Sequence, residues 1–252
     1  MKHSGPLAGI RILDLADENA AFCSKVLADL GASVLKVEKP GGDKTQGTSR
    51  HIYHNSNKRS ITLDIEKVKG RELLFRLSSK ADVIVESFTP GYLESIGCSY
   101  EVLSQGNPEL IMASVTGFGQ NGPRSGYKSN DLVAAAYGGQ MHVTGEASSF
   151  PLALHGGQSA YVASLFAAIG VLLAVIRRRQ TGKGEHLDIS AQEAAAGTLD
   201  HVLVRYLYDG VIPVRQGDLA WNRSSFILPC RDGRIFISIA NQWETLVEWV
   251  AS

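Results

Sequence analysis

An apolar run from Ala160 to Ile176 dominates the hydropathy pattern of the chain. It follows a polar, Gly-rich turn (His155, Gly156, Gly157, Gln158, Ser159) and closes on Arg177, Arg178 and Arg179. Ala, Leu and Phe fill the run, and apolar side chains fall on every face, which predicts a helix buried all round. Arginines in the last turn suit the negative end of a helix dipole, and Gly182 suits a left-handed cap. Beyond it Leu187 and Ile189 alternate with His186, Asp188 and Ser190, the period of a strand. A membrane span is the alternative for the run. A span wants about 20 apolar residues, and this run is shorter and holds Tyr161, Ser164 and Gly170.

Upstream, the period switches repeatedly between strand and helix. Ile10–Ala16 reads as a strand. Ala20–Leu30 reads as a helix with Phe22, Val26, Leu27 and Leu30 on one stripe, Asp17 placed to cap it and Gly31 to end it. Ala32–Val37 is a second strand, so the chain opens on the β-α-β unit that builds parallel sheets. Ile61, Leu63 and Ile65 alternate with polar residues. A helix over Lys67–Ser79 turns Val68, Leu74 and Leu77 inward, and Asp82–Phe88 and Leu110–Val115 are further strands. Leu132–Gly138 predicts a helix, and a long one runs from Ala191 to Tyr208 before Asp209-Gly210 stops it. Phe226–Ile239 reads as a hairpin turning at Arg231-Asp232-Gly233, and a last helix starts near Gln242.

The expected fold class is therefore α/β. An open parallel Rossmann-like sheet with helices on both faces occupies residues 1–223, and a smaller α+β domain begins at 224–252. No G-x-G-x-x-G follows the first strand, so a dinucleotide is not supported. The loop Glu38–Asp43 lies at the carboxyl edge, where open α/β sheets bind ligands.

Charge and composition narrow the function. Lys+Arg 25 balance Asp+Glu 25, which argues against a general nucleic-acid or anionic-membrane binder. Met1–Pro6 lacks the apolar segment of a signal peptide. Cys23, Cys98 and Cys230 are widely spaced and odd in number, fitting reduced thiols in the cytoplasm better than disulfides or a metal site. In Thr116-Gly117-Phe118-Gly119-Gln120-Asn121-Gly122-Pro123, Gly and Pro at this density predict a fixed irregular turn. Such a turn either brings backbone N–H groups to an acyl oxygen or is purely structural.

Several stretches resemble the family III CoA-transferases, the group of formyl-CoA transferase, the carnitine CoA-transferases and the α-methylacyl-CoA racemases. They are LADLGASVLKVEKPGGD (Leu27–Asp43), Asn55–Ile65, the Gly-rich turn after Thr116, the V-T-G-E stretch at Val143–Glu146 and Ser164–Gly170. The Thr181-Gly182-Lys183-Gly184 loop leading to Asp188 joins them. The resemblance covers residues 6–250 and implies CoA as co-substrate, no metal and an interlocked dimer. It implies CoA contacts at Asn19, Lys39, Leu63, Phe88, Thr89, Lys128 and Asp131. By their residue types alone, Lys39 also reads as a solvated surface lysine and Phe88 as a core aromatic.

The sequence departs from the family pattern at informative places. Asp17 and Glu18 replace neutral residues of the first loop. Thr89 replaces the arginine of N-F-R-P-G. Asn130 stands where the racemase branch carries a histidine base. The catalytic aspartate, which attacks the acyl-CoA thioester in the family, is matched by Ala160. Ser159 and Tyr161 are weak nucleophiles with no base evident in the sequence. The resemblance thus implies a subunit that lacks the nucleophile and pairs with a homologous aspartate-bearing subunit, the two serving an acyl-CoA and a carboxylic acid. The opening DLADENAAFCSKVLADLGA is similar to the non-nucleophile subunit of the branch acting on benzylsuccinate. The alternatives are a non-catalytic CoA-binding or regulatory protein and an acyl-CoA racemase or isomerase. Family members run well past Ser252, so the chain is expected to stop inside the small domain.

Overall fold

The computed structural model describes residues 4–43, 45–218, 225–239 and 243–251. β1 (Arg11–Asp14), α1 (Ala21–Asp29) and β2 (Ser33–Glu38) form the opening unit. α2 (Ser49–Asn55), β3 (Arg59–Thr62), α3 (Val68–Ser78) and β4 (Val83–Glu86) follow. Then come α4 (Tyr92–Ser95), α5 (Tyr100–Gly106), β5 (Ile111–Thr116), α6 (Asp131–Tyr137), α7 (Gln140–Val143), α8 (Gln158–Thr181) and β6 (His186–Ser190). α9 (Ala191–Gly197), α10 (Asp200–Asp209), β7 (Ser225–Cys230), β8 (Gly233–Ser238) and α11 (Trp243–Ala251) complete the order.

Six parallel strands stand in the order β3-β2-β1-β4-β5-β6. The α/β class and the open parallel sheet are those the periodicity predicts. Alternate residues of one strand serve opposite layers, as the pleat requires. Ile12, Val83, Val85, Ile111 and Ala113 join α1 and α8 in one core, and Leu13, Ile84 and Met112 join Leu74 and Leu103 in the other. β4 and β5 are buried along their whole length, which is why they read as apolar runs broken only by Glu86, Ser114 and Thr116. At the sheet's edge, Gly184 donates to the Pro108 carbonyl at 2.8 Å. A Cβ on Gly184 would stand 1.9 Å from the Leu110 carbonyl oxygen, so this crossing admits glycine alone.

The chain packs as two units, residues 1–138 with 155–198, and residues 139–154 with 199–252. The sequence-based boundary at 224 and the expected helix start at Gln242 fall outside the described residues. In the second unit, Arg215 donates to the carbonyls of Glu146 (3.2 Å) and Ser149 (3.3 Å), tying the V-T-G-E stretch to the segment before the hairpin. β7 and β8 pair antiparallel around Arg231-Asp232, as expected.

Four local expectations need correction. Asp17 does not cap α1 with its side chain. The carboxylate accepts from Asn19, while the Asp17 carbonyl takes the N–H groups of Ala20 and Ala21. Val68 is 63% exposed, because it is the first residue of α3 and precedes the face that packs. The long helix after Ala191 is two helices, since the Thr198 N–H and hydroxyl both return to the Ala195 carbonyl and close α9. Finally, α8 is not buried all round. Its small residues Ala163, Ala167, Ala168, Val171, Ala174 and Val175 enter the core, while Leu165, Phe166, Ile169, Leu173 and Ile176 are 42–61% exposed. The sheet and helices α1, α6 and α9 can cover only one side of a cylinder. By length and composition α8 is apolar enough to cross a membrane, yet its small-residue face is built into the core of the first unit. Gly182 caps it in the left-handed conformation, as expected.

Candidate functional site

The strand order reverses between β1 and β4, and at such a switch point an open α/β sheet leaves a crevice beyond its carboxyl ends. A cavity of about 670 Å³ lies there. Leu15, Val37, Leu63, Ile65, Phe88 and Tyr92 give it an apolar wall, with the Phe88 and Tyr92 ring centroids 4.8 Å apart. Among the described residues its charged lining is lopsided: Asp17, Glu18, Glu38, Asp43, Asp64 and Glu66 face two lysines, Lys36 and Lys39.

One of those lysines belongs to a buried cluster beneath the cavity. Register places Asp14 opposite Lys36 on adjacent strands. Lys58 donates to Asp14 Oδ2 at 2.7 Å, Ser24 Oγ donates to the same oxygen at 2.6 Å, and Lys36 Nζ is 3.8 Å from Oδ1. Lys36 also donates to the Ala16 carbonyl. Burial alone would push the Asp14 carboxyl up; Lys58 and Lys36 outweigh it and hold it below its usual value. Burial and the Asp14 charge push the nearby Cys23 thiol up, so Cys23 is an inert core residue.

The start of α8 is a second region of interest. The Ala160 N–H donates to Asp131 Oδ1 at 3.0 Å. A carboxylate from another helix thus sits at the positive end of α8. Asn130, just before Asp131, caps α6 by accepting from the Val133 N–H at 2.9 Å. Tyr161 OH lies 3.1 Å from His54 Nε2, and Phe22 packs edge-on to the Tyr161 ring. Burial, then Lys58 and Arg50, pull the His54 pKa down to about 4, so the imidazole is neutral at physiological pH. Tyr161 therefore does have a partner, from 107 residues away, although one of weak basicity.

Beyond β4 and β5 lies a smaller cavity of about 390 Å³. Glu86, Ser114, Tyr100, His186 and Asp188 are among its lining residues, and Ser114 Oγ is 2.8 Å from His186 Nε2. Burial pushes the Glu86 carboxyl up. Ser114 and the Phe88 N–H oppose this, and Asp17 and Asp188 add to it. Asp188 accepts the Gln120 N–H with both oxygens at 2.9 Å, so that donor of the Gly-rich turn serves the fold.

Of the residues implied by resemblance, Lys39, Leu63 and Phe88 line the larger cavity, and Phe88 also borders the smaller one with Thr89. Asn19 is exposed and folded back on Asp17, Lys128 is exposed, and Asp131 is held at Ala160; none of the three lines either cavity. Sequence reasoning passed over the Asp14–Lys36–Lys58 cluster and the Glu86–Ser114–His186 group. A lysine inside the apolar strand VLKV was the available signal for the first. The larger cavity suits a nucleoside in size and apolar wall.

Comparison with known proteins places these features in a family. The family model described as CoA-transferase family III matches residues 7–252. The succinyl-CoA:mesaconate CoA-transferase of Haloarcula hispanica is 34% identical over 97% of this chain and 67% of its own length. The succinyl-CoA:(R)-benzylsuccinate CoA-transferase subunit BbsE of Thauera aromatica is 33% identical over 95% of this chain and 62% of its own. The chain thus spans about two thirds of these relatives. The crystal structure of a CAIB/BAIF family protein from Brucella suis superposes with a TM-score of 0.87 at 33% identity, covering 98% of this chain and 70% of that one.

Proposed function

The chain belongs to CoA-transferase family III, and from that premise we propose that it is the subunit without the nucleophile in a heteromeric enzyme moving CoA from an acyl-CoA to a carboxylic acid. The observation that carries this reading is Ala160 at the start of α8, its N–H given to Asp131. Alanine offers no lone pair to a thioester, so the attacking carboxylate comes from a homologous subunit with aspartate at this position. The large apolar residues on the outer face of α8 support a paired existence, since exposed apolar surface of this kind marks association. One relative of similar identity is itself named as a subunit, and both curated relatives are named for succinyl-CoA. We take succinyl-CoA as the donor and a dicarboxylic acid as the acceptor. Three free cysteines support a cytoplasmic setting. Asn130, spent as a helix cap and lacking a basic nitrogen, supports transfer over racemisation.

Co-expression with an aspartate-bearing homologue, followed by intact-complex mass spectrometry and CoA-transfer assays, tests the reading. A one-to-one complex that turns over, with this chain alone inactive, is the expected result. Turnover by this chain alone, or an aspartate-bearing homologue fully active without it, overturns the proposal.

A further inference from the structure

We propose that the second unit carries a site of its own for the carboxylate of a small free acid, with Arg205 as its anchor. The site is a cavity of about 190 Å³. Pockets that enclose drug-sized ligands run to roughly 300–1,000 Å³, so this one fits a small acid and not a coenzyme. All the described residues that line it belong to the second unit. His201 and Arg205 stand one turn apart on α10 and so share a face, and Gln216 adds a side-chain amide. Among the described residues of the lining there is no aspartate or glutamate, whereas both cavities at the sheet edge are lined by several. The Arg205 guanidinium is half-buried and makes neither an ion pair nor a hydrogen bond among the described residues. Residues 1–3, 44, 219–224, 240–242 and 252, outside the described set, include no aspartate or glutamate either.

The opposite wall is built from backbone. The Gly217 N–H donates to the Gly145 carbonyl at 3.0 Å, and both glycines line the cavity. Gly217 has a φ of 59°, and a Cβ there would stand 2.2 Å from Glu146 Oε2, so the wall closes without a side chain at that point. Two acids stand close: Asp200 pairs with His201 at 3.5 Å, and Glu146 lies against Gly217. Neither pairs with Arg205. A guanidinium drawn partly out of water without a counter-charge is unfavourable, and a bound anion relieves it. The planar fork of an arginine meets both oxygens of a carboxylate. One guanidinium balances the single charge of that group and leaves a dianionic phosphate half-neutralised, which favours the carboxylate. The inference rests on the proposed function for the identity of its ligand alone: transfer from succinyl-CoA releases succinate, a free acid of this size.

Titration of the full chain with succinate, followed by NMR at the backbone amides, tests the site. Succinate should shift the Gly145 and Gly217 signals, and dimethyl succinate, which lacks the charges, should leave them in place. Arg205→Gln should weaken succinate binding roughly tenfold through loss of charge-assisted hydrogen bonds. Arg205→Lys keeps the charge but loses the fork, and its affinity should fall between the two. Circular dichroism checks that the variants fold, and the wild-type amide shifts judge the site even if one does not. No shift at these amides, an affinity indifferent to Arg205→Gln, or tighter binding of inorganic phosphate than of succinate overturns the inference. Complex formation and turnover with an aspartate-bearing partner stand apart from all three results, and so judge the proposed function separately.

Discussion

Asp14 at the end of β1 and Glu86 at the end of β4 are buried carboxylates on adjacent strands, yet their protonation equilibria move in opposite directions. Burial works against ionisation in both. Around Asp14 the chain supplies two lysines and a serine hydroxyl, and the charged form wins. Around Glu86 it supplies a serine and one backbone N–H, with Asp17 and Asp188 nearby, and the neutral form gains. The carboxyl edge is thus divided: its β1–β3 half holds buried cations beneath the larger cavity, and among the described residues lining the smaller cavity in its β4–β6 half there are acids and no lysine or arginine. Depth alone does not fix the charge of a buried group; its partners do.

The largest test of that contrast is Asp14→Ala. It leaves Lys58 and Lys36 buried without their counter-charge and should cost about 3–5 kcal/mol in urea denaturation. Glu86→Gln keeps an acceptor for its donors and should cost under about 1 kcal/mol. Equal losses would erase the distinction.

Next comes pH. The folded-state pKa of Glu86 is raised, so its contribution is fully present below the unfolded value and is lost as pH rises through the folded one. The stability of the wild type relative to Glu86→Gln should therefore fall as pH rises from about 4.5, by at most about 1.4 kcal/mol per pH unit. A flat difference between the two proteins would mean that the carboxyl is not perturbed.

A smaller effect concerns the Gly-rich turn. Asp188→Ala removes both acceptors of the Gln120 N–H and should destabilise by about 1 kcal/mol. Hydrogen exchange should show faster exchange at Gln120, and unchanged protection there would remove Asp188 as the anchor.

The finest test needs no mutation. His54 lies among cations and His186 beside Glu101 and Asp188, which oppose the lowering that burial imposes. In an NMR titration His186 should become protonated at higher pH than His54, whose pKa is about 4. The reverse order would contradict the division of the edge. Because the His54 value is depressed, its contribution to stability is present above pH 6.5 and lost as pH falls toward 4.

How much of this was legible beforehand varies with the range of the interaction. The β-α-β opening, the buried strands at Val83–Glu86 and Ile111–Thr116, the Gly182 cap and the hairpin are local patterns of period, cap and turn. Local stereochemistry determines them, so the chain order states them. The helix α2 carries no apolar stripe and went unread. Of the cavity, Lys39, Leu63 and Phe88 could be named from resemblance, whereas Lys36, and Lys58 in the cluster beneath it, could not. A lysine in sequence does not reveal whether an aspartate waits on the next strand.

The sequence by itself determined the fold class, the succession of the strands, and the alanine at position 160. Only the tertiary structure decided which charges are paired, that His54 reaches Tyr161 across 107 residues, and that Asp131 lies at the Ala160 N–H. It alone decided that one side of α8 is buried and the other exposed. The physical reason is the same in each case. Backbone preferences and hydrophobic period act over a few residues, while burial and charge pairing depend on which distant segments a strand order of 3-2-1-4-5-6 sets side by side.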